Sequence, residues 1–300
     1  MADRLITAIG AGGIVRAIGA ETTELVKKAL ELHEMSSLAA AALGRTLTGA
    51  VLLSKQLKNE SDSLTIKIKG NGPLRGVIAV ATADASVRGY VDEPYADLPL
   101  RGDGKIDVGG GIGKGQLSII KDLGLKEPYI GNCELISGEI AEDLTYYLAV
   151  SEQVPSVVAL GVRLAPDPEQ KKPFIVEHAG GYILQLLPGA PESLIDDLER
   201  QIRCLPSVTT LLAEGETIEN IVEDILIGNG FELKETRPCQ YKCNCSRERM
   251  EKTLISIGSK DLQEIINDRN GAEMCCQYCN SKYFFTTEQM VSLLNEAENK

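Results

Sequence analysis

Four cysteines in two close pairs constrain this chain more than any other feature. They read C-N-C at Cys243 and Cys245 and, after thirty residues, C-Q-Y-C at Cys276 and Cys279. Two such pairs make one tetrahedral soft-metal site, best satisfied by Zn²⁺ on four sulfurs, in a module too small to fold alone. The first pair is unusual. Structural zinc sites space paired ligands by about two to four residues, whereas only Asn244 separates Cys243 from Cys245. A knuckle with one spacer leaves little slack and places two sulfurs where they can join once the metal leaves. The pattern predicts a site that is dismantled as well as formed.

The remaining thiols frame that site. Cys239 lies four residues before Cys243, and Cys275 directly precedes Cys276. Cys276 and Cys279 have the usual two-residue spacing, whereas Cys275 and Cys279 would have three. We therefore take Cys276 as the ligand and Cys239 and Cys275 as spare thiols. Cys133, in G-N-C-E-L-I, and Cys204, before Leu205–Pro206, fit small buried apolar positions. The only two histidines, His33 and His178, each stand alone, with no nucleophile signature or metal-binding repeat nearby.

The 300 residues suggest about two domains. Apolar residues make up 43%, but there is no Trp and aromatics are 4%, so the core must rest on Val, Ile, Leu and Ala. A net charge of −12 argues against nucleic acid and anionic membrane surfaces and favours solubility. The opening MADRLITAIGAGG carries an acidic residue and lacks a sustained apolar core, unlike a secretory signal. The most apolar stretch, Leu38 to Leu53, is short for a membrane span and contains Arg45. These features predict a cytoplasmic protein, where clustered cysteines serve metals or redox chemistry rather than structural disulfides.

Along the chain, strands are expected at Asp3–Ile9, Ser63–Gly70, Leu74–Thr82, Val87–Val91, Gln116–Lys121, Tyr129–Ser137, Ser156–Leu164 and Phe174–Leu187, the last broken at Gly180–Gly181. Helices are expected after Thr22 as N-cap, from Ser36 to about Leu57, and over Glu139–Ser151. Gly44 and Gly49 thin the second helix for close packing. The order predicts an α+β domain with a mainly antiparallel sheet and packed helices. Glu192–Cys204, Ser207–Ala213 and Thr217–Ile227 then read as short acidic helices without strands, a linker docked on the first domain. The expected division is a core over 1–180, a helical linker over 181–235 and a small C-terminal four-cysteine zinc domain over 236–300, with helices at Ser246–Ile257, Lys260–Asp268 and Thr287–Glu298.

The glycine run Gly102–Gly115 is not a phosphate loop. Val108 stands where a Walker loop needs Gly, Gly115 where it needs Ser or Thr, and no phase fits G-x-G-x-x-G. A hairpin or sheet-edge loop is expected instead. The residues alone leave open whether the metal is inert or redox-active.

Beyond the spacing, C-N-C-S-R-E-R (Cys243–Arg249) and C-Q-Y-C-N-S-K-Y (Cys276–Tyr283) resemble the heat shock protein 33 family, bacterial redox-regulated holdase chaperones. A-A-L-G-R-T-L-T-G-A, G-N-G-P-L-R-G near Gly70 and K-D-L-G at Lys121 extend the resemblance over essentially the whole chain. The resemblance implies a chaperone core, a helical linker and a zinc-binding redox-switch domain ligated by Cys243, Cys245, Cys276 and Cys279. It implies Cys243–Cys245 and Cys276–Cys279 disulfides on oxidation. It also implies an ATP-independent holdase, not an enzyme, whose reduced zinc form is inactive. The implied partners are unfolded or partly unfolded client proteins and, for the oxidised form, a second copy of the chain. Two rival readings stand beside it, and a third, zinc-bound nucleic-acid recognition, is the weakest because the charge has the wrong sign. One is a thiol–disulfide oxidoreductase using C-x-x-C, disfavoured by the lack of a thioredoxin-like βαβ context. The other is a constitutive zinc-ribbon adaptor binding a protein partner.

Overall fold

The computed structural model describes residues 2–268 and 271–298 and divides into two units, Met1–Lys242 and Cys243–Lys300. The first unit runs β1 (Arg4–Gly10), β2 (Val15–Glu21), α1 (Thr23–Leu32), α2 (Ser37–Leu53), β3 (Ser63–Gly70), β4 (Gly76–Thr82), β5 (Ser86–Val91), α3 (Val108–Ile112), β6 (Gly115–Asp122), β7 (Tyr129–Glu134), α4 (Ala141–Val150), β8 (Ser156–Ala165), β9 (Ile175–Leu186), α5 (Glu192–Cys204), α6 (Val208–Ala213), α7 (Ile218–Ile225), β10 (Glu232–Pro238) and β11 (Gln240–Tyr241). One sheet has the order β10-β1-β2-β9-β8, the other β11-β5-β4-β3-β6-β7. Every pairing is antiparallel except β11 with β5. The expected α+β class with antiparallel sheets is what forms.

Helix α2 sits against strands of both sheets. All of it except Ser37 and Arg45 is buried, which suits a helix apolar around its whole circumference. Ser37–Gln56 has the length and composition of a membrane span, but 89% of that window is buried inside the protein. Arg45 reaches Glu139 at 2.5 Å, so its charge is neutralised in place. Gly44 lies against Val26 and Val162, where a Cβ would sit 2.7 Å from Val162 Cγ2. Close approach also explains the glycine run. A Cβ at Gly70 would come 1.9 Å from the Ile112 carbonyl oxygen, and one at Gly115 1.9 Å from that of Lys69. The G-N-G-P-L-R-G loop and the end of the run, Gly111–Gly115, therefore pack on each other.

Several sequence expectations change. Strand β9 is unbroken at Gly180–Gly181, because both residues are paired to β2 on one side and β8 on the other. Cys204 is exposed at the end of α5 rather than buried, and Cys133 is half-buried. A strand follows the acidic helices: β10 returns to pair with β1. Residues 236–242, expected with the cysteine module, lie in the first unit. Cys239 is buried there, its amide donating to the Asp3 carbonyl and its thiol lying 3.5 Å from the Glu21 carbonyl oxygen. Burial pushes that thiol up, well beyond the ordinary cysteine range.

The three acidic helices cover the outer face of the β1–β2–β9 sheet. Leu194, Leu198, Val208, Leu211, Leu212, Ile218, Ile221, Val222 and Ile225 pack on Ile6, Ala8, Val15, Ala17, Tyr182 and Leu184, a cluster separate from the α2 core. Arg4 fastens the cover. Its guanidinium donates to both Glu219 carboxylate oxygens at 2.7 and 2.9 Å and lies 3.2 Å from Glu21.

Helix α1 is capped from a distance. Thr22 holds the N-cap position, but its hydroxyl pairs with Thr48 at 2.7 Å. Asp3 accepts from the amides of Glu24 and Leu25 at 3.0 and 2.5 Å instead. Burial pushes the Asp3 carboxyl up to about 6, assisted by Glu21 and Glu24 and opposed by those two amides. A carboxyl raised in the fold binds its proton more tightly there than in the unfolded chain. Its contribution is therefore present below the ordinary aspartate range and lost as pH rises through about 6. We expect the first unit to lose about 2–3 kcal/mol from this group between pH 4 and pH 7. Urea unfolding of the wild type and Asp3→Asn across that window checks it, the variant lacking this part of the slope whatever its offset.

Candidate metal centre

The second unit comprises α8 (Arg247–Ser256), α9 (Ser259–Asp268), the hairpin β12 (Ala272–Cys275) and β13 (Lys282–Phe285), and α10 (Thr287–Glu298). Its buried apolar residues among those described are few: Leu254, Leu262, Phe285, Met290, Leu293 and Leu294. A core of this size rarely stabilises a fold without a staple.

The structure brings the two cysteine pairs together. Among the described residues, Cys243, Cys245, Cys276 and Cys279 form the group able to hold a metal ion, their sulfurs all within 4.8 Å of one another. Cys243 Sγ lies 3.7 Å from Cys276 Sγ and Cys245 Sγ 3.4 Å from Cys279 Sγ. The edge of a tetrahedron with metal–sulfur bonds of about 2.3 Å is about 3.8 Å, so the thiol cage fits a soft, four-coordinate ion. These two contacts cross between the two pairs and do not select which sulfurs join on oxidation.

Local structure explains the placement. The 276–279 knuckle closes on itself: Asn280 donates its amide to the Cys276 carbonyl at 2.8 Å, and Cys276 donates to Ser281 at 2.9 Å. Asn280 adopts a left-handed φ of 56°, which asparagine tolerates. Adjacent residues of an extended segment point to opposite sides, so only one of Cys275 and Cys276 can face the centre. Cys276 is buried within it, while Cys275 is exposed, 4.0 Å from Asn280 Oδ1. Neither Cys239 nor Cys275 is among those four.

Each sulfur has a polar neighbour from the protein. Cys243 accepts from the Cys245 amide and Cys276 from the Tyr278 amide, although burial pushes both thiols up. Burial also raises Cys279, but the Ser281 hydroxyl and amide and the Cys245 and Cys243 thiols outweigh it and bring Cys279 down to about 7. The Tyr283 hydroxyl lies 3.1 Å from Cys245 Sγ, and that contact pushes the phenol up to about 12 and keeps it a donor. The Ser281 hydroxyl lies 3.2 Å from Cys279 Sγ.

Arg247 ties the first knuckle to the hairpin. It donates to the Phe284 carbonyl at 3.1 Å and to Gln289 Oε1 at 2.8 Å, with its guanidinium carbon 4.4 Å from the Phe285 ring centroid. Arg247→Ala should cost the second unit about 1–2 kcal/mol, read as earlier amide exchange over residues 243–298 with the first unit unaffected. Arg247, Ser281 and Tyr283 were not singled out as site residues from sequence. They lie inside the two cysteine motifs, but only the folded hairpin shows which side chains turn toward sulfur. His33 is buried in the first unit, with Nε2 3.4 Å from the Tyr241 hydroxyl.

Comparison with known proteins places this architecture. A family profile described as Hsp33 protein matches residues 3–286. The chain is 50% identical over 296 residues to the 33 kDa chaperonin of Ruminiclostridium cellulolyticum, covering 99% of each, and 46% identical over 300 residues to that of Acetivibrio thermocellus, covering 100% of this chain and 99% of the relative. The crystal structure of the 33 kDa chaperonin (heat shock protein 33 homolog) from Thermotoga maritima superposes with a TM-score of 0.90 at 35% identity, covering 100% of both chains. With matching sequence and fold along its length, the chain belongs to the Hsp33 protein family.

Proposed function

We propose that this chain is a redox-regulated, ATP-independent holdase chaperone of the cytoplasm, inactive when reduced and metal-loaded. The observation that carries the proposal is the convergence of four thiols in a unit whose own apolar core is too small to hold it together. Zinc, when bound by Cys243, Cys245, Cys276 and Cys279, supplies the cross-link between knuckle and hairpin and keeps the sulfurs as thiolates, the form oxidants attack.

Two equivalents of peroxide convert the four thiolates to two disulfides, Cys243–Cys245 and Cys276–Cys279, with two hydroxides released per disulfide. No thiolate then remains to hold a metal. Structural zinc supplies about 10–16 kcal/mol to small domains, and whole-domain stabilities are about 5–15 kcal/mol, so residues 243–300 unfold. The loss passes along the chain through β11 and β10 to α7, and the helical cover loosens. The face carrying Ile6, Ala8, Val15, Ala17, Tyr182 and Leu184, with the apolar stripes of α5–α7, becomes the surface for unfolding clients. Reduction and metal rebinding reverse the switch. The net charge of −12 keeps client complexes soluble, and a homodimer of the oxidised form is part of the proposal.

The test is light scattering from a thermally unfolding client, with released zinc followed in the same sample. Suppression of aggregation only after peroxide treatment and zinc loss supports the proposal. Equal suppression by both forms leaves a constitutive chaperone. Retained zinc with no suppression leaves an adaptor, and insulin reduction an oxidoreductase.

A further inference from the structure

Strand β5 would be an open edge of its sheet but for the two residues of β11. Gln240 and Tyr241 pair in parallel with Ser86 and Val87. The Gln240 amide donates to the Ala85 carbonyl at 3.4 Å and the Lys242 amide to the Val87 carbonyl at 2.9 Å. At the next outward-facing residue, Gly89, a side chain takes the place of backbone. The Tyr241 hydroxyl donates to the Gly89 carbonyl at 3.1 Å and accepts from the Gly89 amide at 3.4 Å, with His33 Nε2 also 3.4 Å away. Strand β11 therefore does what an added peptide strand does: it supplies backbone rungs to a sheet edge and seats one aromatic residue, here against α1 as well as β5.

The two ends of this segment are held differently. Cys239 is buried in the core with its amide bonded to Asp3, at the end of the long β10–β1 ladder. Lys242 is followed directly by Cys243, the first residue of the second unit. While that unit is folded, residues 240–242 are a short stretch fixed at both ends, and pairing them costs little entropy. Once it unfolds they become the root of a free chain end, and two backbone rungs with one hydroxyl do not offset the cost of ordering it. The edge they leave is a template for another strand. Resting on the redox reading proposed above, we infer that β11 is a displaceable plug, and that the vacated edge of β5 from Ala85 to Val91 docks an extended segment of the unfolding client, parallel to β5, with an aromatic side chain in the place of Tyr241. The segment already seated there carries the assignment, because it is itself an extended stretch held through its backbone. Backbone rungs are indifferent to sequence, which suits a surface that must take many unfolded chains. This edge adds to the face under the helical cover and lies in the other sheet.

The probe is reduced, carboxymethylated α-lactalbumin, which stays unfolded, and its binding to the full-length chain is followed by the anisotropy of a fluorescent label. Amide exchange over residues 86–91 is read by mass spectrometry in the same samples. Peroxide treatment with zinc release should speed exchange at Gly89 about ten-fold or more, and saturating probe should slow it again by a similar factor. Tyr241→Phe keeps the ring and removes the hydroxyl. In the reduced, zinc-loaded chain it should speed exchange at Gly89 about three- to ten-fold, with zinc retained. Bound probe with exchange over residues 86–91 unchanged overturns the docking edge and leaves the redox reading standing. So does an edge that stays protected after zinc release, because the plug then never leaves. Protection that returns with chain concentration alone, without probe, gives the edge to a second copy and overturns client docking. No probe binding by either form overturns the redox reading itself, and the docking edge with it.

Discussion

Cys276→Ser should leave residues 243–300 without protected amides at 25 °C even in excess zinc, while the first unit keeps its wild-type exchange pattern. The residue is buried at the centre, its sulfur 3.7 Å from that of Cys243, and its carbonyl accepts the amide that closes the second knuckle. A serine there offers a hard, protonated oxygen in place of a soft thiolate. The remaining core, six buried apolar side chains among the described residues, falls short of the about 10–16 kcal/mol that a structural zinc contributes. Under the proposed mechanism this variant suppresses client aggregation without peroxide. Hydrogen exchange and light scattering on one preparation read both consequences. Protected amides in the second unit would show that the metal is not what holds it. An unfolded second unit with no client binding would instead separate the switch from the chaperone surface.

Gly19→Val should open the helical cover from the other side, with the metal centre intact. A Cβ at Gly19 would lie 2.7 Å from Ile218 Cγ1, 3.1 Å from Val222 Cγ2 and 3.2 Å from Ile6 Cγ1. Ile218, Ile221, Val222 and Ile225 are all fully buried against the sheet, so α7 has no slack to absorb an added isopropyl group. Overpacking of this kind costs about 1–3 kcal/mol, and the least expensive relief is to lift α7 against the restraint of the Arg4–Glu219 pair. The expected result is a chain that retains its zinc, binds a hydrophobic dye and suppresses aggregation without an oxidant. A second variant, Arg4→Ala, loosens the same helix without adding volume and should act in the same direction. Zinc retained with no gain in client binding in both variants would place the client surface elsewhere in the protein.

What the sequence determined by itself is the chemistry that depends on short spacing and strong periodicity. Four thiols at C-x-C and C-x-x-C have few uses other than one soft-metal cage, and the fold brings those four sulfurs within 4.8 Å of one another. Strand β3 was legible because one face is buried and the other open: Leu64, Ile66 and Ile68 point inward between Thr65, Lys67 and Lys69. Helix α2 was legible as a run apolar on every side. Strand β2 was not, because α2 lies on one of its faces and the helical cover on the other; with nearly every residue buried, no alternation survives in V-R-A-I-G-A-E. Strand β10 failed for the opposite reason. E-L-K-E-T-R-P is mostly exposed, and only its backbone pairing with β1 makes it a strand. The tertiary structure also decided what no local pattern could: that Asp3 caps α1 across the fold, that Cys239 belongs to the first unit's core, and that Tyr283 and Ser281 turn their hydroxyls toward sulfur. Each of these depends on contacts between distant residues or on the geometry of a closed hairpin, and neither exists until the chain has folded.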